Sequence, residues 1–288
     1  MFTTPVSPRT TAQRLGIHAI LLVGSVLFIF PFYWLVTSSV KPIEDVMVFP
    51  PKWVPDPWYT PWEWHWGNFR EALDYIPFFT YLKNTLIVCI LGVMGTVLAN
   101  ALVAYGFARI EWPGRGGAFI LTLSTMMLPF PVVMVPLFTV FRELHWIGTL
   151  KPLWVPAWFG SAFNIFLLRQ FFRTIPADLS DAGRIDGCSE FGIFSRIIVP
   201  LSKPALAVVG LFHFLWAWND FLGPLIYLTR QETFTLSLGL QFYLSQQGGN
   251  QWHYLMAAST LVILPIIILF FFTQRALIRG ISMTGLKG

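Results

Sequence analysis

From Leu15 to Val40 the chain carries no Asp, Glu, Lys or Arg, and long apolar stretches recur along most of the remaining sequence. Such runs leave few folding options. In hydrocarbon every backbone N–H and C=O must find a partner within the protein, so a spanning segment is a helix or part of a closed barrel. A helix needs about 20 apolar residues to cross a bilayer core, and the Leu15–Val40 run meets that length. The composition agrees, at 55% hydrophobic and 11% charged, against roughly 25% charged in soluble domains. A soluble protein this apolar would expose sticky surface, so the bulk of it must face lipid. The expected fold class is therefore all-α, a polytopic membrane protein with six transmembrane helices.

Taken in order, residues 1–14 read as a short disordered leader. Residues 15–40 form the first span, too long for a signal-peptide core and without a clear small-x-small cleavage site. The segment 41–79 is an extracytoplasmic loop rich in Pro and Trp, carrying Trp53, Trp58, Trp62, Trp64 and Trp66. Those rings suit an interfacial aromatic belt, a platform for stacking sugars, or a docking surface for an extracytoplasmic partner. A core domain of five spans follows over 80–276, with the tail 277–288 after it. Its spans are expected near 80–108, 118–141, 150–168, 205–228 and 254–272. Asn84 and Asn100 are polar groups within the first of these that should bond neighbouring helices. Pro129, Pro131 and Pro136 interrupt the next, and lipid would not tolerate the broken ladder. That half should face protein or a water-filled path, with a plain kink as the alternative.

Charge orients the bundle. With an even number of spans, the termini, the 109–117 turn and the segment 169–204 share one side, which collects twelve of the nineteen Lys and Arg residues. The positive-inside rule places that side in the cytoplasm. The basic residues lie at span ends without clustering, so the net charge of +5 is no nucleic-acid signature. Cys89 and Cys188 support neither a disulfide framework nor a metal site, and the five histidines show no zinc spacing.

The polar loop 173–204 is the most informative stretch. Pro176 and Asp178 suit the start of a helix, on which Leu179, Ala182 and Ile185 recur every three residues. Gly187 supplies a C-terminal cap, and Ser189 with Glu190 restarts a helix. In that second helix Phe191, Phe194 and Ile198 should form a stripe that Pro200 ends. A short amphipathic pair cannot bury its stripe alone, so it needs the ends of its own spans or a separate protein.

These residues resemble a known pattern. Asp181-Ala182-Gly183, Asp186-Gly187, Ile197 and Pro200 are similar, in identity and register, to the EAA loop of permease subunits of ATP-binding-cassette importers. Asp181 stands for the usual Glu, and Gly183 for the second Ala. Glycine inside a helix costs about 1 kcal/mol against Ala, so a less rigid first helix is expected. The resemblance implies a coupling helix, formed by Asp181, Ala182, Gly183, Arg184, Ile185, Asp186 and Gly187 with Phe191 and Pro200, seated in a cleft of an ATPase subunit.

No catalytic or nucleotide site is visible in the chain itself. A P-loop needs Gly-Lys followed by Ser or Thr, and none of the six lysines follows a glycine. ATP and its Mg would therefore be bound by a partner ATPase, with no cofactor in this chain. Asp220 is the one intramembrane charge of its span. A carboxylate near mid-bilayer costs about 2.5–3.5 kcal/mol, so it should face a cavity or a partner. The stretch Trp216-Ala217-Trp218-Asn219-Asp220-Phe221 also looks like carbohydrate-importer permeases. That similarity implies a translocation path lined by Trp216, Trp218, Asn219 and Asp220, with Pro129 and Pro131 beside it. The alternative gives Asn219 and Asp220 to helix contacts.

The resemblance as a whole points to the carbohydrate-uptake, maltose-permease-like group of type I importers. It implies an ATPase dimer, a second permease subunit in a heterodimer, an extracytoplasmic sugar-binding protein, a carbohydrate substrate and the lipid bilayer as partners, and no nucleic acid. Gly285–Gly288 resembles a small-residue ending that reaches the ATPase interface. Two other classes compete. An ion-gradient-driven secondary transporter predicts matching broken helices in two repeated halves and an ionisable relay. A non-transporting scaffold predicts no path at all.

Overall fold

A computed structural model describes residues 11–244 and 249–284. Most of the leader and the ending Gly285–Gly288 lie outside the described residues. The part of the leader that is described is helical, because the first helix, Thr11–Ser39, begins within it. Among the described residues the regular structure is helical, joined by loops, apart from a single Leu244–Asn250 bridge. It divides into two compact units, Met1–Ile76 with Phe242–Ile263, and Pro77–Gln241 with Leu264–Gly288.

In the first unit, Thr11–Ser39 buries none of its most apolar window, as expected of a helix whose partner is lipid. The loop after it is pinned from inside. Lys41 is fully buried, its Nζ donating to the Lys52 carbonyl (2.5 Å) while lying 4.2 Å from the Trp34 ring centroid. Asn68 Nδ2 donates to the carbonyls of Ser39 (3.0 Å) and Lys41 (2.8 Å), closing the loop at its far end. Burial pushes the Lys41 ammonium below its ordinary value, and Asp45 opposes that shift. With the backbone tied down, Trp53, Trp58, Trp62 and Trp66 are left exposed.

The second unit is organised around the helix Phe78–Ala108. Its glycines admit neighbours at close range. A Cβ at Gly95 would overlap the indole of Trp158, whose Nε1 donates to Leu91 O (3.1 Å), and one at Gly92 would overlap His213. Gly95→Val should therefore expel Trp158. Overpacking of this kind costs about 1–3 kcal/mol, to be read as a drop of several degrees in the detergent-solubilised Tm. An unchanged Tm would show the contact to be slack. The two asparagines bond loop backbone instead of other helices. Asn84 Nδ2 donates to the carbonyls of Glu232 and Phe234, and Asn100 Oδ1 accepts from Ser161 N (2.7 Å).

Among the described residues, three helices are long and apolar enough to cross a membrane unbroken: Thr11–Ser39, Phe78–Ala108 and Trp252–Gln274. The expected third span is two helices, Arg115–Ser124 and Phe130–Glu143, in a pair bent by 99°. The break falls before Pro129, which cannot continue a ladder that needs its N–H. The expected fourth span, 150–168, is not one helix. It is a turn at Lys151–Trp154, a 3₁₀ run at Val155–Phe159, and the helix Ala162–Thr174. Pro152 and Pro156 account for the first break and Gly160, at φ +83°, for the second. The expected fifth span, 205–228, runs from Lys203 to Asn219, breaks at Asp220 and resumes as the short helix Leu222–Tyr227.

Candidate functional site

The polar loop forms an elbow of two arms. Its first arm, Ala177–Ile185, carries Asp178 in the first turn and closes in a Schellman motif. Gly187 has φ +81°, its N–H donates to Arg184 O (3.0 Å), and the N–H of Cys188 donates to Gly183 O (2.9 Å). A β-carbon at Gly187 would meet nothing within 4 Å, so the glycine is there for its backbone and not for space. The second arm starts at Glu190, with the Ser189 hydroxyl accepting from Gly192 N (3.2 Å) as N-cap.

Pro200 does not end that arm. The arm passes through a π-helical turn at Phe194–Ile198, continues over Val199–Leu201, and bends by 79° at Ser202 into Lys203–Asn219. Pro200 sits in the first turn of the Val199–Leu201 segment, where its missing N–H costs least.

The stripes also differ from expectation. Of the two alternatives for the first stripe, Leu179, Ala182 and Ile185 do not take the ends of the chain's own spans: all three are exposed, Ile185 at 87%. The buried positions of the first arm are Ser180 and Gly183. In the second arm Phe194 and Ile198 are buried with Ile193, whereas Phe191 is 69% exposed. Gly183 accordingly is not a point of slack. A β-carbon there would lie 3.0 Å from Ile197 Cδ1 and 3.2 Å from Ile193 Cγ1, so glycine is what lets the arms touch. The core under the elbow joins Tyr105, Leu168, Phe172, Ile193, Phe194 and Val209.

Charged groups lock the corner. Arg184 reaches Asp181 Oδ1 (2.7 Å) through Nη1 and Glu190 Oε1 (2.8 Å) through Nε. Pairs this exposed contribute about 0.2–1 kcal/mol each, so their role is geometric more than stabilising. The Arg184 guanidinium, followed by the Tyr105 hydroxyl, holds the Glu190 carboxyl below its ordinary range, while partial burial opposes them. Tyr105 O–H donates to Glu190 Oε2 (2.6 Å). Arg109, at the end of the same helix, donates to the carbonyls of Phe172 (2.6 Å) and Ile175 at the root of the elbow. Neither Tyr105 nor Arg109 stands out as a site residue in the sequence. A tyrosine and an arginine closing a long apolar run were the available signal.

A second feature is an open cleft of about 390 Å³ lined by Thr96, Ser161, Asn164, His213 and Trp216 among others. Thr96 Oγ1 and His213 Nδ1 are 3.0 Å apart, and the His213 and Trp216 rings lie 5.6 Å apart. Of the residues expected on a path, Trp216 lines this cleft and is 59% exposed. Trp218 is buried, stacked on Phe214. Asn219 is exposed and donates back to Leu215 O (2.7 Å). Asp220 Oδ1 accepts from Gly223 N (3.0 Å) and so caps the next helix. Pro129 and Pro131 are exposed at the bend of the broken pair.

Comparison with known proteins places this arrangement. Residues 93–283 match the family model described as "binding-protein-dependent transport system inner membrane component". The arabinooligosaccharides transport system permease protein AraQ of Bacillus subtilis (strain 168) is 34% identical over 282 residues, covering 98% of this chain and 99% of that protein. The diacetylchitobiose uptake system permease protein DasC of Streptomyces coelicolor is 30% identical, covering 91% and 94%. In fold, the chain is similar to one in the crystal structure of a bacterial transporter that imports the acidic polysaccharide alginate. The TM-score is 0.80 at 22% identity, covering 94% of this chain and 99% of that one. The chain belongs to the family of inner membrane components of binding-protein-dependent transport systems.

Proposed function

We propose that this chain is one permease of an ATP-driven oligosaccharide importer and takes its force through the elbow. The observation that carries the reading is the outward placement of Leu179, Ile185 and Phe191 on a corner whose inner face is packed and whose two arms are ion-paired. Apolar side chains exposed on a rigid support call for a protein partner. An ATPase subunit, part of a dimer that holds ATP and Mg, meets that description, with Asp181–Gly187 and Phe191 as the seat. The elbow and both termini then face the cytoplasm, in line with the charge asymmetry. A second permease completes the path, and a sugar-loaded binding protein delivers substrate from the other side.

The cleft at Thr96, Asn164, His213 and Trp216 is the natural place for sugar to pass. It offers an exposed indole for the apolar face of a pyranose and hydroxyl, amide and imidazole groups for its hydroxyls. The relatives named above for arabino-oligosaccharides and diacetylchitobiose support a carbohydrate cargo. The test is co-expression with the ATPase and the second permease, followed by purification and reconstitution in vesicles. ATPase should co-purify, and hydrolysis should rise several-fold only with sugar-loaded binding protein. Uptake driven by an ion gradient without any ATPase would overturn the proposal.

A further inference from the structure

The elbow reads as one solid piece. Its arms touch at Gly183, where a β-carbon would lie 3.0 Å from Ile197 Cδ1, and Arg184 bridges Asp181 on the first arm to Glu190 on the second. What this piece holds on to is specific. Glu190 spends its second carboxylate oxygen on the hydroxyl of Tyr105, at 2.6 Å. Tyr105 is 4% exposed, and its ring lies 5.2 Å from that of Phe194 on the same arm. A phenylalanine would fill that aromatic contact equally well. The hydroxyl is present only for the carboxylate.

The helix that bears Tyr105 also reaches the cleft. Thr96 lies nine residues earlier on Phe78–Ala108 and bonds His213 at the cleft wall. At 1.5 Å per residue that is about 14 Å of continuous helix, a stiff connector. Four residues beyond Tyr105, Arg109 grips the carbonyls at the root of the first arm. The helix is therefore held to the second arm by the Tyr105 hydroxyl and, through Arg109, to the end of Ala162–Thr174 that leads into the first arm.

We propose that Tyr105 and Glu190 are positioning residues that clasp the elbow to the Phe78–Ala108 helix, so that elbow displacement is delivered to the cleft. This deepens the reading of the elbow as an ATPase seat and rests on it. When the ATPases draw the elbows together, the clasp makes the cytoplasmic end of the helix follow. Without it the elbow can move while the cleft lags. The signature is uncoupling: hydrolysis continues, but fewer cycles carry sugar.

The test is Tyr105→Phe in the complete transporter in vesicles, with uptake, hydrolysis, ATPase co-purification and Tm measured side by side. The expected result is hydrolysis within about twofold of wild type, uptake down about tenfold, and ATP consumed per sugar up by a similar factor. Glu190→Gln keeps an acceptor for the Tyr105 hydroxyl and should sit closer to wild type in that ratio. A Tyr105→Phe transporter with the wild-type ratio, whether both rates stay or fall together, would sink the clasp and leave a structural tie. If that variant fails to fold, Glu190→Ala, cut at the more exposed end of the same bond, must show the raised ratio or the proposal is wrong. Failure of the wild-type chain to retain the ATPase is a different result: it removes the seat itself.

Discussion

Gly187→Val should abolish sugar uptake while the protein still inserts and purifies normally. At φ +81° the backbone occupies a region that costs an ordinary L-residue about 1–2 kcal/mol, and a β-branched one more. The cheapest escape is to give up the left-handed turn, and with it the Cys188-to-Gly183 hydrogen bond that closes the first arm. The arms would then leave the corner at a different angle. Because a side chain at 187 meets nothing within 4 Å, the damage is confined to the elbow, and the core around Phe172 and Val209 should be untouched. Uptake and ATPase co-purification, with expression and Tm as controls, make the measurement. Gly187→Asn is the graded comparison, since Asn tolerates this backbone region better, and should retain a substantial part of the activity. A Val variant with wild-type uptake would show that neither the corner nor its angle matters.

Gly183→Leu should be as severe by another route. Where a lone β-carbon already lies 3.0 Å from Ile197 and 3.2 Å from Ile193, an isobutyl group must push the first arm off the second. Arg184 can then no longer span Asp181 and Glu190. Uptake should fall below a tenth of wild type, and amide exchange over residues 177–198 should quicken. Gly183→Ala separates packing from flexibility. It asks the end of the Ile197 side chain and the Cγ1 of Ile193 to give by a few tenths of an ångström, and it returns about 1 kcal/mol of helix propensity. The Ala variant should therefore be close to neutral. Equal losses in both variants would mean that the glycine serves something other than this contact.

The elbow was legible in the sequence because its parts are local: a proline, a capping glycine, a capping serine and charges at fixed separations. Which side faced out was not. Ile185 and Phe191 have the same apolar character as Ile193 and Ile198, and hydropathy does not separate an exposed apolar side chain from a buried one. The role of Gly183 was hidden for a related reason, since propensity describes a helix alone and close approach needs the second arm. The irregular segment before Ala162 had hydropathy like that of its neighbours. Pro152, Pro156 and Gly160 were the warning, and length and apolarity outweighed them. Tyr105 escaped because its partner lies 85 positions away.

That irregular segment has a consequence of its own. A 3₁₀ turn ending at a left-handed glycine interrupts the helical ladder, and Ser161 N turns to the Asn100 side chain instead. Hydrocarbon offers no such substitute partner to backbone that leaves a helix. The molecule therefore has a damp flank, where Pro156, Gly160 and Ser161 border the opening beside Thr96, and an oily one. A solitary copy in a bilayer would present that flank to acyl chains, and the second permease proposed above would cover it.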